Sequence, residues 1–215
     1  MKAAAKIFEQ QTGASVSITA GPLPMWRDAA LVNADIIFSG SENMMTEFTS
    51  TFEGSINPTT IEPLFLRPST ILVRPGNPKA IAGIRSLAAG NNRIMVVAGA
   101  GQIGMWEDVA ARSGDLDLLA RFRGNIVTFA DNSGAALERW KSDQTIDAWL
   151  IWNHWQIANS DIADQVAVEP DLTIWRPMDV ALTYEGQGKA DARDFIRFLG
   201  SAEGKAIFAS YGWKR

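Results

Sequence analysis

The chain has 215 residues, of which 47% are hydrophobic and 20% charged, and its net charge at neutral pH is −4. That length suits one large domain or two lobes of about 100 residues each. The acidic balance leaves no basic surface for a nucleic acid, so no nucleic-acid partner is expected. The sequence has no cysteine, which excludes disulfides, thiolate metal sites and cysteine nucleophiles.

Neither a membrane segment nor a signal peptide is predicted. The sequence has no run of about 18 apolar residues that could span a bilayer. Residues 1–11 have the spacing of an amphipathic helix, with Ala4, Ile7 and Phe8 on one face. They lack the basic and then apolar pattern of a leader.

Predicted strands and helices alternate along the chain. Apolar runs bounded by turn residues predict strands at 15–19, 34–38, 69–74, 93–98, 125–130, 148–152, 166–168 and 178–183. Helical spacing and N-cap residues predict helices at 2–11, around 26–31, after Ser41, from the glycine turn at 99–104 to about 112, from 133 through 140, at 190–199 and from 202 to about 210. The alternation predicts an α/β fold with mostly parallel sheets and helices on both faces.

Three turns that join a strand to a helix carry small or hydroxyl-bearing residues. They are 39–41 (SGS), 99–104 (GAGQIG) and 132–134 (NSG). Free backbone N–H groups and the helix dipole favour an anion at such a turn. In open α/β sheets these turns lie at the carboxyl ends of strands, where ligands bind. Ordinary helix capping explains any one of them, but together they could line one anion-binding cleft.

The second turn also matches a dinucleotide fingerprint. Gly99-x-Gly101-x-x-Gly104 follows a predicted strand and begins a helix, and Asp131 ends the next strand, farther along than the usual ribose-binding acid. An NAD(P)-binding oxidoreductase is therefore the alternative function. The match is a lone one and lies mid-chain, without a second βαβ half of the usual layout after it, so it is a weak signal for a dinucleotide.

Two arginines are candidate anion ligands, and the single histidine is not expected to be catalytic. Arg67 and Arg176 each precede a proline near a presumed crossing between lobes, and a guanidinium is a planar fork for carboxylate, sulfate or phosphate. His154 lacks an accompanying nucleophile elbow, and with Asp147 alone it makes no metal-ligand set.

Four of the eight tryptophans fall within 140–155, where core packing is expected and a cleft wall is the alternative.

Several segments along the chain share one resemblance. They are residues 34–45 (ADIIFSGSENMM), 66–69 (LRPS), 71–78 (ILVRPGNP), 99–102 (GAGQ) with 106–108 (WED), 146–149 (IDAW) with 151–153 (IWN), and 195–199 (FIRFL) with 203–208 (EGKAIF). In these segments the chain resembles the accessory colonization factor AcfC family, relatives of periplasmic molybdate- and sulfate-binding proteins.

The resemblance implies a type II periplasmic-binding fold. Residues 1–72 and 179–215 would form one lobe and residues 73–178 the other, joined by two crossing strands. A small anion such as sulfate, molybdate, a small carboxylate or a phosphorylated acid would bind in the cleft between the lobes, for delivery to an ABC transporter complex in the membrane or to a sensing partner. The chain would then be a periplasmic or exported binding protein without cofactor or catalysis. An adhesive or antigenic protein that keeps this fold but acts through its surface is a third alternative.

The resemblance also implies which residues hold the anion. Five positions match directly and three match more weakly, and the two arginines are added from their chemistry. The predicted ligand-binding residues are Ser39, Gly40, Ser41, Gly101, Gln102, Asn132, Ser133, Asn153, Arg67 and Arg176.

The N-terminus departs from the pattern of the family. Proteins of this type usually begin with a strand and a glycine-rich turn, whereas here Met1 already begins a predicted helix. We therefore expect a trimmed form or a misassigned start, and a bare sheet edge that favours self-association as a homo-oligomer.

Overall fold

The computed structural model describes residues 1–215, apart from the side chain of Ala100. The chain divides into two compact units. Unit 1 comprises Met1–Leu66 and Arg176–Arg215, and unit 2 comprises Arg67–Trp175. Both divisions fall inside strands, a few residues before the lobe boundaries that the sequence suggested.

The regular elements run as follows in chain order. The helices are α1 Lys2–Thr12, α2 Arg27–Asn33, α3 Glu42–Thr51, α4 Ile84–Ala89, α5 Met105–Ala110, α6 Leu116–Asn125, α7 Ser133–Ser142, α8 His154–Ile157, α9 Tyr184–Gly188, α10 Ala190–Leu199 and α11 Ala202–Ser210. The strands are β1 Ile36–Phe38, β2 Glu62–Val73, β3 Ile94–Val97, β4 Ile126–Ala130, β5 Ala148–Trp152, β6 Asp164–Ala167 and β7 Trp175–Leu182.

Unit 1 packs two apolar clusters beside the antiparallel pair of β1 and β7. One cluster joins α1, α10 and α11 to the start of β2, where the rings of Phe65 and Phe208 stack with centroids 4.1 Å apart. The other places α3 against β1 and β7 and buries Phe48 and Phe52 under Trp26. Because side chains alternate along a strand, the two clusters take opposite faces of β7.

Unit 2 contains a five-stranded sheet in the order β6-β2-β5-β3-β4. Pairs β3–β4 and β3–β5 are parallel, as helical crossovers between successive strands require. The pairs of β2 with β5 and β6 are antiparallel. The predicted α/β class is therefore confirmed, but the sheets are mixed rather than mostly parallel, because β2 and β7 enter both units and pair with their neighbours in the opposite direction.

Several predicted elements agree closely with the structure. Helices α1, α10 and α11 and strand β5 lie within a residue of their predicted bounds, and Ser41, Asn132 and Ser201 each cap a helix as expected. The predicted strand at 15–19 is wrong. Val16 and Ile18 pack against the core of unit 1, so the alternation is real, but this segment pairs with no strand in the described chain.

Candidate functional site

In unit 1 the candidate site is the turn Ser39-Gly40-Ser41, which joins β1 to α3. Ser39 and Ser41 are both buried, with 2% and 1% of their surface exposed. Ser41 Oγ accepts a hydrogen bond from the Met44 amide at 3.4 Å and so caps the ten-residue helix α3. The helix dipole and the remaining free amides make this end of α3 favourable for a negative charge.

A buried carboxylate that the sequence reasoning missed lies against this turn. The backbone amide of Ser39 donates to the Asp179 carbonyl at 2.9 Å, and Ser39 Oγ donates to Asp179 Oδ2 at 3.1 Å. Asp179 is 1% exposed, and its Oδ1 has no hydrogen-bond partner among the described residues. Burial raises the pKa of Asp179 to about 6; the hydrogen bond from Ser39 opposes this shift and the charge of Glu42 adds to it.

In unit 2 the candidate site centres on Gln102, whose side chain is buried. Its amide satisfies both ends when Nε2 donates to the Gly99 carbonyl at 3.0 Å. Oε1 then accepts from Trp152 Nε1 at 3.3 Å and from Ser133 Oγ at 3.1 Å, and this orientation is assigned from those partners. Gln102 therefore joins the glycine turn, the start of α7 and the end of β5, which lie far apart in sequence.

Three further polar residues, Arg67, His154 and Asn153, lie near Trp152. Arg67 is 6% exposed; its guanidinium carbon lies 5.0 Å from the centroid of the Trp152 ring, and its Nη1 lies 3.4 Å from Nε2 of His154. Asn153 follows directly and is also buried; its backbone amide donates to the Pro68 carbonyl at 3.2 Å. Four of the predicted site residues, Arg67, Gln102, Ser133 and Asn153, are thus brought together around Trp152.

Burial controls the charges of this group. It lowers the pKa of Arg67 to about 9, so the guanidinium is still positively charged at neutral pH. Burial, together with the charge of Arg67, lowers the pKa of His154 to about 3, so the imidazole is neutral. A neutral ring with its proton on Nδ1 presents Nε2 as an acceptor to the arginine. The contact of His154 with a buried cation was not predicted from the sequence.

The remaining predicted residues occupy varied positions. Gly101 is buried beside Gln102, and Gly40 is half-buried between the two serines. Asn132 is exposed, and its Oδ1 accepts from the Ala135 amide at 2.9 Å as the cap of α7. Arg176 is half-buried in β7 of unit 1. Of the clustered tryptophans, Trp140, Trp149 and Trp152 have no exposed surface, so core packing is correct for them.

The glycine turn has a structural explanation of its own. A short 3-10 helix spans Ala100–Gln102, and α5 begins only at Met105. A Cβ on Gly99 would lie 2.1 Å from the carbonyl oxygen of Asp131, so the close approach of these two backbone segments requires glycine there. A dinucleotide-binding turn leads directly into a long helix, and this turn does not.

Metal-ligating side chains and apolar helices are the next two features of the described chain. The described residues contain no cluster of three or more histidine, aspartate or glutamate side chains that could hold a metal ion. None of the helices in the described chain combines the length and apolar character that a bilayer crossing needs.

The class of protein follows from this fold and from the family whose profile matches it. The profile described as bacterial extracellular solute-binding protein matches residues 1–214, and the chain belongs to this family. The solute-binding function is thus confirmed, and the NAD(P)-binding oxidoreductase is not favoured. No curated protein sequence matches the chain significantly.

Solved structures refine the relationship. The chain is similar to PEB3 crystallised with L-phospholactate, with a TM-score of 0.93 and 37% identity over 100% of this chain and 94% of that one. PEB3 from Campylobacter jejuni gives a TM-score of 0.91 at 36% identity over 100% and 93% of the two chains. The molybdate-binding protein of Azotobacter vinelandii, at 21% identity over 100% and 93% and a TM-score of 0.71, shares the fold. The expected AcfC-like relationship and type II fold are confirmed.

Proposed function

We propose that this chain captures a small anion that carries phosphate or carboxylate groups. The observation that carries the proposal is the bound ligand of PEB3: at 37% identity over the whole chain, that protein was crystallised with L-phospholactate. Phospholactate has one phosphate and one carboxylate, so a site for it needs a fixed positive charge and several hydrogen-bond donors. Sulfate and molybdate are smaller oxyanions of related chemistry.

The proposed positive charge is Arg67. Its guanidinium is buried, with its carbon 5.0 Å from the centroid of the Trp152 ring and its Nη1 3.4 Å from Nε2 of a neutral His154. A planar fork can hold two oxygens of a phosphate or carboxylate at once. Gly101, Gln102, Asn132, Ser133 and Asn153 are the proposed polar ligands around it, and Arg176 is a second proposed cation.

The proposed ligands in unit 1 are Ser39, Gly40 and Ser41. They offer two hydroxyls and the free amides at the start of α3. In this proposal units 1 and 2 are the two lobes of the binding protein.

Binding needs no covalent chemistry, so we infer that the chain has no catalytic activity. We further propose that the chain acts in the periplasm and delivers its anion to an ABC transporter. A structural relative, the substrate binding domain of a putative molybdenum ABC transporter, supports this role.

A thermal-shift screen tests the class of ligand. L-phospholactate, sulfate, molybdate, lactate and NADH are each added to the purified chain at neutral pH. Binding stabilises the folded state by RT ln(1 + [L]/Kd), about 2.7 kcal/mol at a hundredfold excess over Kd. A rise in melting temperature with L-phospholactate or an oxyanion and none with NADH supports the proposal. A shift with NADH alone contradicts it.

Variants test the residues by calorimetry with L-phospholactate. Gln102→Ala removes an amide whose second Nε2 proton can be donated to the anion, and Ser133→Ala removes the hydroxyl that orients this amide through Oε1. Each variant should weaken binding about ten- to a hundredfold, the value of one hydrogen bond to a charged partner. Ser142→Ala is the matched control, because its hydroxyl bonds only to carbonyls at the exposed end of α7. Equal affinities for all three variants and the wild type would remove these two residues from the site.

A further inference from the structure

The hydroxyl of Ser39 is already engaged by a neighbour. A serine hydroxyl has one proton to donate, and Ser39 Oγ donates it to Asp179 Oδ2 at 3.1 Å. An ionised carboxylate can only accept, so the direction of this hydrogen bond is fixed while Asp179 is charged. In that state Ser39 presents only oxygen lone pairs to any other group, and lone pairs repel an anion.

We infer that Asp179 is a positioning residue for anion binding. Once its carboxyl is protonated, it donates a hydrogen bond to Ser39 Oγ, and the Ser39 hydroxyl can then donate its own hydrogen bond to the anion. The inference rests on the proposed function of the serine turn. The proton balance is as follows: where Asp179 starts ionised, its carboxylate takes up one proton from solvent for each anion bound, and no bond between heavy atoms forms or breaks. The neutral carboxyl also removes a negative charge from the neighbourhood of the ligand.

The surroundings of Asp179 favour this behaviour. Along β7, Asp179 alternates with Met178 and Val180, which face the α1–α10 cluster, so its side chain shares the α3 face with Ala181. On that face the charged group acting on Asp179 is Glu42, in the first turn of α3. The paired strand β1 brings no titratable side chain, and the unit 1 part of β2 brings only the exposed Glu62.

These surroundings place the change near physiological pH. Burial, with the added charge of Glu42, raises the pKa of Asp179 to about 6. About one molecule in a hundred is then protonated at pH 8 and about nine in ten at pH 5. When only a fraction of molecules can bind, the apparent affinity falls by that fraction. Binding through Ser39 should therefore weaken by up to about a hundredfold between pH 5 and pH 8.

Asp179→Asn tests the inference, because the asparagine amide donates to Ser39 Oγ at every pH. Affinity for L-phospholactate is measured by calorimetry at pH 5, 6.5 and 8 for the variant and the wild type. The ratio of the two affinities cancels the titration of the ligand itself. We expect a ratio within twofold at pH 5 and a gain of about ten- to a hundredfold for the variant at pH 8.

Two further variants separate hydroxyl positioning from simple removal of charge. In a Ser39→Ala background Asp179→Asn should give no gain at pH 8, whereas a pure charge effect would persist. Glu42→Gln removes a neighbouring carboxylate that does not bond to Ser39 and should change affinity by less than threefold. If Asp179→Asn does not fold, proton uptake on binding, measured in two buffers, replaces it: wild type should take up about one proton more than Ser39→Ala at pH 8.

The outcomes distinguish the two proposals. Binding with a flat ratio across the pH range, or a gain that survives in Ser39→Ala, overturns the role of Asp179 and leaves anion capture standing. Failure of the wild type to bind L-phospholactate, sulfate or molybdate at any of the three pH values overturns both.

Discussion

Arg67 and His154 meet inside unit 2 as a charged donor and a neutral ring, with Nη1 of the arginine 3.4 Å from Nε2 of the histidine. Burial lowers the pKa of both side chains, but only the histidine loses its charge at neutral pH. A cation held beside a neutral acceptor keeps its attraction for an external anion, whereas a carboxylate neighbour would compete with that anion. The pair therefore suits an anion-binding role for Arg67.

The first prediction concerns the charge and shape of Arg67. Arg67→Met should weaken binding of L-phospholactate at least a hundredfold, and Arg67→Lys about tenfold, since lysine keeps the charge but lacks the planar fork. Calorimetry at pH 7 measures both. Arg85→Met is the control in the same unit: its guanidinium is half-exposed and pairs with Asp171, so its loss should leave the affinity unchanged. Equal losses at residues 67 and 85 would mean that only net charge matters.

The second prediction concerns stability in mild acid. The folded chain protonates His154 only near pH 3, whereas the unfolded chain does so near its ordinary value of 6.5. Between these values the unfolded state binds more protons, so this residue makes stability fall as the pH drops below 6.5. His154→Gln keeps an acceptor for Arg67 without titrating.

Urea unfolding at pH 7.5, 6.5, 5.5 and 5 measures this contribution. From pH 6.5 to 5 the wild type should lose up to about 2 kcal/mol more than His154→Gln, following about 1.4 kcal/mol per pH unit. Above pH 7 the two curves should run parallel. Parallel curves throughout would show that His154 titrates normally in the folded chain.

Local signals in the sequence predicted much of the fold. Helix α10 has a strong amphipathic period, α3 begins at a serine cap, and β5 is a short apolar run between polar turns, so each could be predicted from its own residues. Helix α4 was missed because its cap is remote. The carboxylate of Glu169 accepts from the Ile84 and Arg85 amides at 2.8 and 2.9 Å, across more than eighty residues of sequence.

Local sequence likewise indicated some residues of the candidate site, whereas their partners depend on tertiary packing. Ser39, Gln102 and Ser133 could be singled out because small and polar residues stand where strands turn into helices. Their partners could not, since the contacts of Gln102 with Trp152 and of Ser39 with Asp179 depend on tertiary packing. One signal did exist for Asp179: it is the single acid within the apolar run of β7. A charge at a core-facing strand position is a functional candidate.

The third prediction concerns Arg74, which fixes the C-terminal end of α7. Its Nη1 donates to the Trp140 carbonyl at 2.9 Å, its Nη2 to the Asp143 carbonyl at 2.7 Å and its Nε to the Ile146 carbonyl at 2.8 Å. The guanidinium carbon also lies 3.6 Å from the centroid of the Trp140 ring. One side chain thus donates to three carbonyls, of which only that of Asp143 also accepts from a backbone amide, that of Ile146 at 3.3 Å, in the described chain.

Arg74→Ala should lower the free energy of unfolding by about 2–4 kcal/mol, because three carbonyl acceptors are left without this donor. Arg139→Ala is the control at the same corner. Its guanidinium is 54% exposed and pairs with the Asp143 carboxylate at 2.8 Å, a surface ion pair worth less than about 1 kcal/mol. Urea unfolding of both variants at pH 7 measures the difference. A loss for Arg74→Ala no larger than that for Arg139→Ala would show that water replaces the donor.

The last prediction compares two glycines of unit 2. Gly83 precedes α4 with φ of +148° and ψ of −171°, a conformation open essentially to glycine alone, and a Cβ there would lie 2.5 Å from the carboxyl carbon of Glu169. Gly124 lies in α6 with open space around the position of a Cβ. Gly83→Ala must therefore strain the backbone and push away the carboxylate that caps α4, whereas Gly124→Ala meets no obstacle.

Gly83→Ala should destabilise the chain by about 3 kcal/mol, the sum of backbone strain and a lost cap. Gly124→Ala should stabilise it by up to about 1 kcal/mol, because alanine loses less backbone entropy in a helix. Urea unfolding gives both values. In a Glu169→Ala background, where the cap is already gone and the clash relieved, Gly83→Ala should cost only the strain of φ, about 1–2 kcal/mol. An undiminished cost in that background would place the whole effect in the backbone and none in the contact with Glu169.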